Sequence, residues 1–145
     1  MKRSVLVFIL ILTTVFITAC GQKDKYTTVK PVDGIIKIDR NEVSDGKAHY
    51  FKAEAGGKDV KFFLLKSEDG VIRAAFDACD VCYKEKKGYS QDGNFMVCNN
   101  CGMRFHSSKI NVVKGGCNPS PVYRKYDDKY VYLHIDHIEA GKWYF

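Results

Sequence analysis

Two Cys-x-x-Cys pairs, Cys79/Cys82 and Cys98/Cys101, with fifteen residues between them, constrain this chain more than anything else in it. Two thiolates at i and i+3 can grip one ion from a tight turn, and two such turns on neighbouring segments complete a four-sulfur tetrahedron. A fold that uses them must therefore bring two loops face to face. Soft thiolates select zinc or an iron-sulfur centre over magnesium or calcium, and the spacing leaves those two open. It also leaves redox dithiols or disulfides as competitors, because Cys-x-x-Cys is the spacing of redox thiols too.

The N-terminus bears on the compartment. Lys2 and Arg3 precede an apolar run over residues 5–12, which continues through two threonines to Ile17 and ends at Ala19-Cys20. This is the pattern of a secretory signal, shorter than the roughly 20 residues of a spanning helix. Ile17-Thr18-Ala19-Cys20 resembles the lipobox of bacterial lipoproteins, which implies cleavage before Cys20 and diacylation of its sulfur. Two acyl chains hold a protein on a bilayer where one is marginal. The expected division is a lipoprotein signal peptide over 1–19, a lipidated Cys20 with a flexible polar tether over 20–33, and a β-rich metal-binding domain over 34–145. The expected location is the extracytoplasmic face of the bacterial cell membrane, lipid-anchored. No twin-arginine pair precedes the apolar run, so the chain is expected to cross unfolded and take up its metal outside, where thiol oxidation competes.

Loss of Lys2 and Arg3 with the signal lowers the net charge from +6 to +4. Cations are scattered among carboxylates, with no dense block beyond residues 84–87, so a nucleic-acid partner is not expected. No Ser/His/Asp array, phosphate-binding glycine loop or paired carboxylates argue for a hydrolase or transferase. A mature chain of 126 residues is enough for one domain with a real core.

From Gly34 onward short apolar or alternating runs predict strands at 35–38, 49–52, 60–65, 71–76, 95–97 and 130–138. Asp45-Gly46, Gly56-Gly57 and Asp69-Gly70 supply the positive φ of tight hairpin turns. Helix is limited to a short turn over 39–43. The fold class is mostly β, a small antiparallel sheet or barrel domain with a metal site in two loops. Each cysteine pair follows a strand, and turns at Lys87-Gly88-Tyr89 and 91–94 return the chain between them. Cys79, Cys82, Cys98 and Cys101 are the expected ligands. Cys117, in Gly115-Gly116-Cys117-Asn118-Pro119, is a candidate fifth ligand, a partner to a redox thiol, or a cover for the site. His106, five residues past Cys101, is a further candidate if its loop folds back, against a surface or hydrogen-bonding role. Met96 and Met103 read as packing rather than copper ligands. His134 and His137, three apart on an expected strand, point to opposite faces and are left outside the site.

The residues 77–83, Lys87-Gly88-Tyr89, Val97-Cys98-Asn99-Asn100-Cys101-Gly102 with Phe105, and 115–121 resemble the signature of the FtrD-like membrane iron-sulfur protein family. The resemblance implies an iron-sulfur or other metal centre on the matching cysteines, at a membrane, often linked with iron transport. A more distant similarity is to Rieske ferredoxins: a strand, Asp69-Gly70, a strand, two ligand loops about fifteen residues apart, then a Gly-Gly stretch and a Pro-x-Pro ending. Rieske sites place one Cys and one His in each loop, whereas here Cys82 and Cys101 stand at the corresponding places, so a Rieske potential does not carry over. The expectation is a membrane-anchored metal-binding protein that transfers electrons or handles metal beside a membrane iron-transport or redox partner, rather than a stand-alone enzyme. A thiol-disulfide oxidoreductase and a zinc-stabilised interaction module are the alternatives.

Overall fold

The computed structural model describes residues 24–145; the signal segment and Cys20 lie outside the described residues. Strands dominate, in the order β1 (Thr27–Thr28), β2 (Ile35–Asp39), β3 (His49–Ala55), β4 (Lys58–Lys66), β5 (Ile72–Phe76), β6 (Tyr89–Asp92), β7 (Phe95–Cys98), β8 (Arg104–His106), β9 (Lys125–Tyr126) and β10 (Tyr130–His134), with one short helix α1 (Ile135–Glu139). They form three small sheets ordered β1-β3-β4-β5, β2-β10-β9 and β6-β7-β8. All pairings are antiparallel except β1 beside β3. No helix of the described residues is long and apolar enough to cross a membrane.

The organising element is β4. Its run Phe62-Phe63-Leu64-Leu65 is apolar without interruption because both faces of the strand are covered. Side chains alternate along a strand, so Val60, Phe62 and Leu64 enter one core while Phe63 and Leu65 enter another. The larger core adds Ile36 and Ile38 from β2, Val131 and Leu133 from β10, and Ile138 and Tyr144 near the C-terminus. The smaller core contains Cys79, Tyr89, Met96, Cys98 and Ile110. The four-stranded sheet thus carries a hydrocarbon core on one face and the cysteine region on the other.

Three expectations are corrected. The late strand stops at His134 rather than Ile138, because the His134 side chain accepts the Asp136 N–H and caps α1. Asp45-Gly46 makes no hairpin; it joins a 3-10 turn over Arg40–Val43 to β3, whereas Gly56-Gly57 and Asp69-Gly70 do connect β3 to β4 and β4 to β5. Residues 24–33, expected as free tether, run along the body instead. Thr27 and Thr28 pair with Phe51 and Lys52 of β3, and Lys25 and Tyr26 reach the buried Asp77.

Candidate metal centre

Each cysteine pair is launched from a strand end. β5 delivers the chain to Cys79, and β7 ends on Cys98. Cys79 and Cys98 are buried, Cys82 and Cys117 half-buried and Cys101 exposed, so the cluster has an inner and an outer side. In the second loop Gly102, at φ +74°, lets its N–H return to the Cys98 carbonyl at 2.8 Å, while Cys98 N–H reaches Met103 O at 2.9 Å. Cys82 N–H donates to Cys79 Sγ at 3.2 Å, and the backbone amides of Cys101 and Asn100 act to lower the Cys98 thiol as that of Met103 lowers Cys101. Donors aimed at sulfur favour thiolate over thiol, the state a metal requires.

The charge state differs across the cluster. Burial pushes the Cys98 thiol up to about 11 and the Cys117 thiol up to about 12, the latter helped by neighbouring Cys101 and Cys82. The Met103 N–H holds exposed Cys101 below the usual thiol range. Without metal Cys98 and Cys117 keep their protons at neutral pH, so loading must displace them.

The sulfurs fall into two sets, Cys79/Cys82/Cys117 and Cys82/Cys98/Cys101, each mutually within 4.8 Å. The four expected ligands are therefore brought to one place, but as two overlapping sets rather than a single tetrahedral group. Cys117 joins them, with its Sγ 3.8 Å from Cys82 Sγ. His106 does not. Its Nδ1 is 2.8 Å from Ser108 Oγ, its Nε2 is 3.2 Å from Glu68, and its ring meets Phe95 edge-on. Met96 is packed in the smaller core, and Met103 is exposed. His134 and His137 lie close after all, ring centroids 5.8 Å apart, because α1 replaces the expected strand; both remain outside the thiol sets.

Sequence reading assigned no role to Asp77, which holds the region together. Its side chain is buried and accepts Tyr89 N–H at 2.7 Å, Tyr26 O–H at 2.6 Å and Lys25 Nζ at 2.8 Å. One carboxylate two residues before Cys79 thus fixes β6, the N-terminal segment and the first loop. Gly88 must be glycine here, since its φ is +61° and a Cβ would sit 2.5 Å from the Asp77 carboxylate. Asn99 ties the second loop to the same place through its N–H to Gly88 O and Nδ2 to Lys87 O, both 3.0 Å. The available signal was an acidic residue inside an otherwise apolar strand end, Phe76-Asp77-Ala78.

Five unpaired thiols, with the Cys82 N–H on Cys79 sulfur and aromatic walls from Tyr83, Tyr89 and Tyr144, fit a thiophilic metal or iron-sulfur centre, and no oxygen-rich set among the described residues competes with them. Residues 43–145 match the model of the family described as membrane iron-sulfur containing proteins, FtrD-like. No curated protein matches the chain. Among solved structures, the quaternary ammonium Rieske monooxygenase CntA, crystallised with an inhibitor, is similar over 72% of this chain and 32% of its own, with 13% identity and a TM-score of 0.48. The chain spans about a third of that enzyme's length, and a likeness of this depth says nothing of function.

Proposed function

This chain belongs to the FtrD-like family of membrane iron-sulfur containing proteins and is a metal-binding protein, and from that we propose that it carries electrons at the extracytoplasmic face of the bacterial membrane, tethered by a lipid on Cys20 beside an iron-transport partner. One observation carries the reading: the thiol cluster is graded from buried Cys79 and Cys98 to exposed Cys101. An iron-sulfur centre, when bound, supplies one-electron chemistry at a potential set by its ligands and their hydrogen bonds. The inner thiols and Tyr89 exclude water, the loop N–H groups stabilise negative charge on sulfur, and the exposed Cys101 edge gives a partner close approach. An all-thiolate shell lowers the potential relative to one containing imidazole.

Protein recovered from its native membrane tests this directly. Visible colour with iron and acid-labile sulfide is the expected result, whereas colourless protein with stoichiometric zinc removes the electron-transfer role and leaves an interaction module. One observation favours the oxidoreductase alternative: an exposed thiol with a lowered pKa, Cys101, is where disulfide exchange would begin. Thiols that stay blocked after chelation yet open with reductant would decide for that alternative.

A further inference from the structure

We propose that the centre is binuclear, with one metal atom against Cys79, Cys82 and Cys117 and a second against Cys82, Cys98 and Cys101, so that Cys117 is a ligand and the Cys82 thiolate faces both metals. The proposal rests on the metal-binding reading above and extends it to the number of metal atoms and the fifth ligand.

The sulfur positions lead to it. Metal–sulfur bonds of about 2.3 Å set the edge of a tetrahedral thiolate site at about 3.8 Å. Cys82 and Cys117 are 3.8 Å apart, the separation of two thiolates on one metal and far from the roughly 2.05 Å of a disulfide. The five sulfurs do not form one mutually adjacent set, and a single ion with such bonds cannot reach them all. Two ions sharing Cys82 satisfy both sets. Three thiolates leave each tetrahedral metal one position short, which suits iron with inorganic sulfide, and they also suit the softer copper(I). Loading is not itself a redox step; each ligating thiol gives up one proton to solvent as its sulfur–metal bond forms.

Cys117 is placed by built structure. Gly115 and Gly116 take φ of +89° and +60°, and Asn118 Nδ2 closes the turn onto Gly115 O at 3.1 Å. Beyond it the chain is zipped to the first cysteine loop, with Phe76 N–H to Ser120 O at 2.8 Å and Ser120 N–H to Ala78 O at 3.0 Å. The Tyr89 hydroxyl donates to Cys117 O at 2.6 Å, while the Tyr89 backbone stands opposite Cys98 in the β6–β7 ladder. One buried tyrosine therefore positions a member of each sulfur set.

The experiment counts metal and thiols on holoprotein solubilised from its native membrane. Metal analysis against protein mass should give two atoms per chain, and iodoacetamide under native conditions should label none of the five cysteines. Cys117→Ser should halve the metal content and abolish metal–metal scattering in X-ray absorption. Tyr89→Phe, which removes only the hydroxyl, should make Cys117 labelling several-fold faster. One metal atom per chain, with Cys117 labelled and the other four protected, overturns the binuclear proposal and leaves the metal-binding reading intact. No metal and five labelled thiols overturns both. Should Cys117→Ser fail to fold, labelling of the wild-type holoprotein decides alone.

Discussion

The two faces of the central sheet are held by different physics. On one face Val60, Phe62 and Leu64 of β4 meet β2, β10 and the C-terminal segment in a core made almost entirely of hydrocarbon. On the other, Phe63 and Leu65 meet a region whose fixed points are polar: Asp77 with three donors, Arg73 reaching Ser67 and the Ile110 carbonyl, Asn111 bonded to both the N–H and carbonyl of Ala74, and the thiols themselves. Burial of apolar area tolerates small displacements, whereas a network of directed bonds holds only while every partner is present. The first face is a scaffold that folds by composition. The second depends on its metal and on individual side chains.

Removing metal should separate the faces most strongly. Structural metal sites contribute on the order of 10 kcal/mol to the segments they join. Chelation should erase hydrogen-exchange protection in β6–β8 while β3 and β4 keep theirs; equal loss on both faces would abolish the distinction. Phe62→Ala comes next, at about 3–5 kcal/mol of global stability in denaturant melts. Phe62 is fully buried in the hydrocarbon core and stacked on Phe51, so the cysteine face should keep its metal stoichiometry while the chain remains folded. Asp77→Asn works from the other side, with about 1.5–3 kcal/mol lost as charge-assisted bonds weaken. Its signature should be local: faster proteolysis within residues 24–33 and weaker metal retention, with β2 and β10 undisturbed.

The smallest effect is an acid transition confined to the hydrocarbon side. Asp127 is held down to about 2 by the Tyr130 N–H first, then by the Tyr132 hydroxyl and the Lys129 N–H. A depressed carboxylate stabilises the fold above its ordinary value near 3.8 and loses that contribution as pH falls through about 2. Amide exchange in the β9–β10 turn should therefore rise between pH 4 and 2, and Asp127→Asn should remove that pH dependence.

The strands of the scaffold were legible because their period and turn residues are local. The run 60–65 announced a strand, yet nothing local says that both its faces are covered or which neighbour covers which. Strand β10 was overrun because the alternation of Val131, Leu133 and Ile135 continues past the residue where His134 caps a helix, and a cap outweighs one more period-2 match. The two cysteine pairs were legible from spacing alone. The place of Cys117 was not, since it depends on a tyrosine 28 residues away and on strand-like pairing along β5. His106 failed as a ligand because Ser108 and Glu68 occupy its ring nitrogens. The polar composition of residues 24–33 suggested slack, but Lys25 and Tyr26 are tied to a carboxylate more than fifty residues along the chain.

That tie also sets a leash length. With the proposed lipid on Cys20, four residues separate the bilayer anchor from Lys25, and the five steps between them at full extension are roughly 17 Å of reach. Because Lys25 is clamped to the carboxylate two positions before Cys79, that proposed anchor would keep the sulfur cluster close to the membrane plane. A partner that exchanges electrons with it would have to present its own centre at that height, and lengthening the leash by ten flexible residues should slow the exchange without altering the metal.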